Sequence, residues 1–239
     1  MAANGTEAGP LPSSLAADEW LARLADLPFG LTPGQGWRYH HSFAILGILI
    51  SRITGRSLHD HLRADLFDPL GMTDTGMWVP PSKLDRLPAA YRQGDGGVVE
   101  IELAGGGPYA GVPPFDVSHR ELLSTVSDYW TFLPALFHNR LTGEEPLLSR
   151  AHHQAMVDDQ VRQPLKSPES FFPGFSDGMG WGYGVAVHTE GPRRGRYGWS
   201  GGLGTDFFVD PDGQAGIVFT QVELGARTMT LLEAFQNLA

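Results

Sequence analysis

The strongest structural signal in the chain lies in residues 37–75, WRYHHSFAILGILISRITGRSLHDHLRADLFDPLGMTDT. Apolar side chains recur so densely over residues 43–53 that this segment predicts a helix buried around most of its circumference. Gly55 is placed to end that helix as a left-handed residue. Ser57 then caps a second helix, which stops before Pro69 because the residue preceding a proline avoids the α region.

The order of several short motifs in the same region resembles the serine β-lactamase and penicillin-binding-protein superfamily. The motifs are Pro33-Gly34, Trp37, Tyr39, Leu46-Gly47, Gly55, Pro69-Leu70-Gly71-Met72 and Asp74-Thr75. The chain looks most like the class C β-lactamases and the family VIII carboxylesterases. In that family a tyrosine at the start of this helix is the base that activates a serine, so the resemblance implies this catalytic role for Tyr39. His40 and His41 stand where the family usually carries Ser-Asn. This departure favours the esterase branch, and His41 is a further candidate for the cleft.

The later segments predict more helices and then an antiparallel sheet. Helices are expected over 126–138, capped by Thr125, and over 150–157, capped by Ser149. The predicted strands are 182–187, 196–199, 206–209 and 217–221, and an amphipathic helix over 224–238 closes the chain. With the resemblance, this predicts an N-terminally truncated α+β fold of the β-lactamase/transpeptidase type, with an antiparallel sheet packed against helices. We expect a single domain over 1–239, made of a flexible arm (1–14), a mainly helical part (15–175), and the sheet with its closing helix (176–239).

Residues 198–202, GWSGG, allow more than one interpretation. They match the Gly-x-Ser-x-Gly nucleophile elbow of α/β-hydrolases, but that motif needs a helix after the serine and a histidine downstream, and the last histidine is His188. In the superfamily that the chain resembles, this place carries a Lys/His-Thr/Ser-Gly motif on the strand that lines the active site. The resemblance therefore implies an oxyanion and substrate strand, whose backbone N–H groups stabilise an acyl oxyanion. Its residues are Trp199, Ser200, Gly201 and Gly202. An ordinary turn between two strands is the structural alternative.

The nucleophile motif of the superfamily, Ser-x-x-Lys, does not occur in these 239 residues. The only two lysines, Lys83 and Lys166, have Pro80 and Gln163 three positions before them. The family places the motif well upstream of the tyrosine, so the resemblance covers about residues 28–222. The sequence therefore predicts a β-lactamase-related serine hydrolase of esterase or β-lactamase type that is inactive as this chain. A non-catalytic binding protein with a β-lactamase-like cleft is the alternative.

Composition excludes several classes of partner. The net charge of −10 argues against nucleic acid and anionic membrane surfaces. The longest apolar run, residues 43–50, is too short to span a bilayer. Residues 1–14 have neither a basic nor an apolar region typical of a signal peptide, so we expect a cytoplasmic protein if Met1 is the true start. There are no cysteines, which rules out disulfides but leaves the compartment open.

The expected ligand is a small-molecule ester or amide, with β-lactams among the candidates. No cofactor and no metal are expected, because the histidines at 40–41, 59, 61 and 152–153 lack acidic partners at fixed helical spacing. In the family, N-terminal strands pair with the strand expected here at 217–221. Without such strands it would be a sheet edge with unpaired backbone groups. We therefore expect a homodimer through this edge, a strand borrowed from Met1–Ser14, or aggregation.

Overall fold

A computed structural model of the chain describes residues 5–6, 13–116, 122–161, 163–167, 170 and 174–238. The flexible arm predicted for residues 1–14 lies mostly outside these ranges. In its described part, Thr6 is fully buried, and its carbonyl oxygen accepts a hydrogen bond from Nε2 of His41 at 2.8 Å. Thr6 is therefore packed against His41, at the start of the helix that the sequence predicted over residues 43–53.

The described residues form seven α-helices. They are α1 (Ala17–Ala25), α2 (Ser42–Thr54), α3 (Leu58–Leu62), α4 (Asp68–Leu70), α5 (Val126–His138), α6 (Arg150–Val157) and α7 (Ala226–Gln236). A π-helical turn at Arg63–Phe67 joins α3 to α4, and 3₁₀ turns cover Pro81–Arg86 and Gln163–Leu165. Within the described ranges, no helix has both the length and the apolar character needed to cross a lipid bilayer.

Three predicted helix starts and the predicted end of α2 are confirmed by their capping geometry, whereas the expected stop before Pro69 is wrong, because Asp68 is helical and α4 includes Pro69 in its first turn, where a proline needs no N–H partner. At each of three N-termini a hydroxyl oxygen accepts the backbone N–H three residues on, which satisfies one of the free donors of the first turn. The pairs are Ser57 with Asp60 (3.0 Å), Thr125 with Asp128 (3.1 Å) and Ser149 with His152 (3.2 Å). Gly55 ends α2 with φ of 67°, the left-handed conformation that glycine adopts most readily.

Helix α2 is less buried than its apolar sequence predicts. Its buried residues are Ala44, Gly47 and Ile48, of which Ala44 and Ile48 pack with Trp20 of α1. Large apolar side chains on the other side are between 43% and 75% exposed, namely Ile45, Leu46, Leu49 and Ile53. The expectation of burial around most of the helix is therefore wrong for the described residues. Apolar content alone does not say how many neighbouring elements a helix meets.

Seven strands in the described residues form two antiparallel sheets. The strands are β1 (Ala90–Gly94), β2 (Gly97–Glu102), β3 (Met179–Trp181), β4 (Ala186–His188), β5 (Tyr197–Gly201), β6 (Thr205–Val209) and β7 (Ala215–Phe219). The first two form a hairpin in a region where the sequence predicted no strand, because short strands around a glycine turn give little periodicity. The other five form one sheet in chain order, so β3 and β7 are its outer strands.

The strand predicted over residues 182–187 is mostly a turn, and only Ala186 and Val187 of that span lie in a strand. Gly184 has φ of 93°, and the N–H of Gly182 donates to the carbonyl oxygen of Val185 at 2.9 Å. A positive φ of this kind favours glycine, so the chain reverses here between β3, which ends at Trp181, and β4, which begins at Ala186. The remaining predicted strands are present within two residues of their expected starts.

Helices cover both faces of the five-stranded sheet. On one face, Leu133 and Leu136 of α5 pack with Tyr197 of β5 in the main core. On the other, Phe235 of α7 lies 5.4 Å from Phe208 of β6, measured between ring centroids. Because successive side chains of a strand point to opposite faces, each strand contributes to both layers. The arrangement is an antiparallel sheet packed against helices, as predicted.

Candidate active site

Tyr39 lies just before α2 and is held there by its backbone. Its N–H donates to the carbonyl oxygen of Ser170, a residue that is itself buried, at 3.2 Å. The next residue, His40, has φ of 118°, a conformation that residues other than glycine rarely adopt. Strained backbone of this kind concentrates at functional sites, where the surrounding structure holds it in place.

Tyr39 and Trp199 come together across 160 residues of sequence. The indole Nε1–H of Trp199 on β5 donates to the Tyr39 hydroxyl oxygen at 3.0 Å. Burial raises the pKa of the Tyr39 phenol, and the hydrogen bond from Trp199 partly opposes that rise. Tyr39 is therefore a neutral phenol at neutral pH, with its oxygen already oriented by a fixed donor.

An aromatic cluster surrounds this hydrogen bond. Its members are Trp37, Tyr39, Phe175, Trp181 and Trp199. Ring centroids lie 4.7 Å apart for Trp181 and Trp199, 5.4 Å for Tyr39 and Trp181, and 5.5 Å for Trp37 and Trp181, distances typical of stabilising aromatic pairs. Sequence reasoning missed Trp181 and Phe175. Trp181 reaches the site through the pairing of β3 with β4, and Phe175 reaches it through the turn before β3. Three of the chain's six tryptophans meet here. The tryptophan content was the one signal in the sequence that could have indicated such a cluster.

Ser200 lies on the strand as predicted, but its side chain points to the opposite face of the sheet. Its hydroxyl donates to Oδ2 of Asp206 on β6 at 2.9 Å, and Gln236 of α7 donates to Oδ1 of the same carboxylate at 2.6 Å. A strand, β6, follows in place of the helix that a nucleophile elbow requires. This geometry disfavours Ser200 as a nucleophile. Only the backbone of Ser200 is then left to contribute to the predicted oxyanion strand.

The two glycines after Ser200 differ in their surroundings. A Cβ on Gly201 would lie 2.2 Å from Oγ1 of Thr205, so the β5–β6 hairpin itself excludes a side chain there. A Cβ on Gly202 would meet no atom within 4 Å, and the backbone around it is open. Close approach of a ligand to the backbone is therefore easier at Gly202 than at Gly201.

His41 contacts α1 and the N-terminal region. Its ring stacks on Trp20 of α1 with centroids 6.1 Å apart, and its Nε2 contacts the carbonyl oxygen of Thr6. These two partners lie outside the aromatic cluster, and a cleft role for His41 stays a prediction. Within the described residues, no group of three or more His, Asp or Glu side chains is arranged to hold a metal ion.

Comparison with known proteins identifies the family. A family model described as Beta-lactamase matches residues 2–227. Protein Rv1367c from Mycobacterium tuberculosis (strain H37Rv) is 30% identical over 210 residues, which cover 84% of this chain and 52% of the relative. Lovastatin esterase from Penicillium rubens is 28% identical over 213 residues, which cover 77% of this chain and 49% of the relative. The chain thus spans about half the length of these two relatives.

Solved structures agree on the fold. The structure of EstCE1, described as a hydrolase with promiscuous acyltransferase activity, superposes with a TM-score of 0.75 at 23% identity, over 93% of this chain and 61% of that one. The resemblance and the fold class that the sequence indicated are therefore confirmed, and Lovastatin esterase is one of the sequence relatives with an activity in its name. The chain belongs to the β-lactamase family and has its β-lactamase/transpeptidase-like fold.

Proposed function

We propose that the chain carries the tyrosine and the oxyanion strand of a serine hydrolase that transfers acyl groups from esters. The observation that carries this proposal is the 3.0 Å hydrogen bond from Trp199 to the Tyr39 hydroxyl. It joins the start of α2 to β5, the two elements that supply an acid–base group and backbone donors in the family. The esterase name of the Penicillium relative supports the same reaction class.

In this proposal, a serine from a Ser-x-x-Lys segment attacks the carbonyl carbon of the ester, and Tyr39 relays protons. Because the raised pKa keeps Tyr39 protonated, its oxygen accepts the serine proton as its own hydroxyl proton passes on towards the leaving alkoxide. The serine O–C bond forms, the ester C–O bond breaks, and the alcohol leaves with the proton. Backbone N–H groups of β5 stabilise the oxyanion between these two events.

The substrate we expect is an uncharged ester with a short acyl chain. Trp199 occupies the position where β-lactamases carry Lys or His, and an indole offers a hydrogen bond but no positive charge. An anionic β-lactam would therefore lack an electrostatic partner at this position. The neighbouring rings of Trp37 and Trp181 are also uncharged, so they favour apolar groups of the substrate. We expect hydrolysis of p-nitrophenyl butyrate and weak turnover of nitrocefin.

The first test concerns the 239 residues by themselves, which contain no Ser-x-x-Lys. We expect no acyl-enzyme when the purified chain is treated with a fluorescent fluorophosphonate or a fluorescent penicillin. Intact-mass and peptide mass spectrometry measure the outcome. A label confined to one serine would contradict this expectation, and a label on Ser200 would restore the nucleophile-elbow interpretation.

The second test uses a longer protein in which this chain follows a Ser-x-x-Lys segment. Tyr39→Phe should lower kcat/KM for p-nitrophenyl butyrate by roughly 10²–10⁴, the usual contribution of a general acid–base group. Tyr183→Phe is the matched control, because the Tyr183 side chain is 60% exposed and lies outside the aromatic cluster. A near-normal rate for Tyr39→Phe would remove Tyr39 from the mechanism.

A further inference from the structure

The outer edge of β3 is closed by side chains and a loop. Outer strands present unpaired N–H and C=O groups, which elsewhere recruit another strand. Here Oδ1 of Asp159 accepts the N–H of Trp181 at 3.0 Å, and the N–H of Gln160 donates to the Trp181 carbonyl oxygen at 2.8 Å. Nζ of Lys166 donates to the carbonyl oxygen of Met179 at 3.0 Å. The backbone of β3 is thus satisfied without a further strand.

Asp159 and Lys166 also bind each other. Nζ of Lys166 lies 2.6 Å from Oδ2 of Asp159, and the lysine side chain is only 6% exposed. One carboxylate therefore bridges a buried ammonium group and the backbone of Trp181. Removing either partner would leave the other charge poorly compensated, which is costly at a buried position.

At Gly180 the backbone of β3 leaves no room for a side chain. A Cβ placed on Gly180 would lie 2.3 Å from Cγ of Asp159. The glycine is therefore what allows the carboxylate to lie directly against the strand. This close packing fixes the distance between β3 and the segment that carries Asp159 and Lys166.

The same segment reaches the backbone of Tyr39. Four residues after Lys166, the carbonyl oxygen of Ser170 accepts the N–H of Tyr39, and the Ser170 hydroxyl oxygen accepts the N–H of Ser167 at 3.1 Å. Leu165 packs into the aromatic cluster beside Tyr39 and Trp181. Tyr39 and Trp181 are therefore attached to the two ends of one short stretch of chain.

We propose that Asp159 and Lys166 are positioning residues of the candidate active site, which hold Trp181 against Tyr39 so that the phenol stays oriented and shielded from water. The inference rests on the proposed role of Tyr39 as the reacting group. Neither Asp159 nor Lys166 touches the substrate in this scheme. They act through β3 and through the Ser170 carbonyl group.

The test is ¹⁹F NMR of the full chain labelled with 3-fluorotyrosine, with the Tyr39 resonance assigned by its loss in Tyr39→Phe. In Lys166→Met and in Asp159→Asn we expect that resonance to shift and the phenol pKa to fall towards that of free 3-fluorotyrosine, because water reaches the ring. Lys83→Met is the matched control. Lys83 also binds one carboxylate, that of Asp74, and one backbone carbonyl group, but at a more exposed position.

The double variant Asp159→Asn/Lys166→Met separates positioning from general destabilisation. If the two residues act as a unit, the double variant shifts the Tyr39 resonance no further than either single change does. If a single variant fails to fold, the double variant still tests the proposal, because it has no unpaired buried charge at these two positions. An unchanged Tyr39 resonance and pKa in a folded variant would overturn the proposal. That result is independent of the Tyr39→Phe rate, which tests the proposed function itself.

Discussion

Asp206 is a buried carboxylate whose charge state is coupled to the stability of the sheet. It is 3% exposed, and it accepts hydrogen bonds from Ser200 of β5 and Gln236 of α7. Burial raises its pKa from 3.8 to about 6, although both hydrogen bonds and the nearby Arg196 guanidinium group lower it. Arg196 is itself paired with Asp210, which limits the compensation it can offer.

A raised carboxyl pKa means that the folded state binds a proton more tightly than the unfolded state does. The stabilisation from this group is therefore complete below pH 4 and is lost as the pH rises through about 6. Asp206→Asn should abolish this loss, so its unfolding free energy relative to wild type should rise between pH 4 and 6 by up to roughly 3 kcal/mol. Urea denaturation at a series of pH values measures this difference, and parallel curves for the two proteins would contradict the assignment.

At the residue scale, the sequence indicated candidate site residues but not their contacts. Tyr39 and Trp199 were readable from the family resemblance, whereas the hydrogen bond between them depends on how α2 meets the sheet. The orientation of Ser200 could have been foreseen. If Trp199 faces the cleft, the alternation of side chains along a strand sends its neighbour to the other face. Trp181 could not be assigned, because its strand, β3, was not predicted and the expected strand began one residue later.

At the element scale, the pairing of β5 with β6 depends on a glycine. A Cβ on Gly198 would lie 2.0 Å from the backbone oxygen of Phe207, which cannot move without disturbing the ladder. Gly198→Ala should therefore destabilise the fold by roughly 1–3 kcal/mol, the usual cost of overpacking. Gly202→Ala, on the same chain segment but with open space around it, should change stability by less than about 0.5 kcal/mol. Equal unfolding midpoints for the two variants in urea would count against this account of the ladder.

The helices were predicted better than the strands, for a physical reason. Caps such as Thr125 and Ser149 are local signals, because the hydroxyl and its partner N–H are three residues apart. Strand boundaries depend on partners elsewhere in the chain, so the turn at Gly184 and the β1–β2 hairpin were missed. The exposed face of α2 was missed on the same grounds, since burial is a property of neighbouring elements and not of one helix.

At the scale of the whole molecule, β7 is the sheet edge to test. Among the described residues it pairs with β6 alone, and its sequence Ala-Gly-Ile-Val-Phe has no charge and no proline. We expect the chain to associate through this strand at micromolar concentration, as uncharged outer strands tend to do. Val218→Lys should shift the population towards monomer in light scattering. A wild-type monomer whose residues 215–219 are strongly protected from hydrogen exchange would contradict the expectation.

The closed outer edge of β3 then limits how far such an assembly can grow. Two copies that join through β7 in an antiparallel way are related by a two-fold axis, and the joint sheet has ten strands. Both of its outer strands are then copies of β3, whose backbone groups are already bound by Asp159, Gln160 and Lys166. A third copy finds no donors or acceptors to continue the ladder. If copies associate through β7, we therefore expect a closed two-fold dimer and not an open filament.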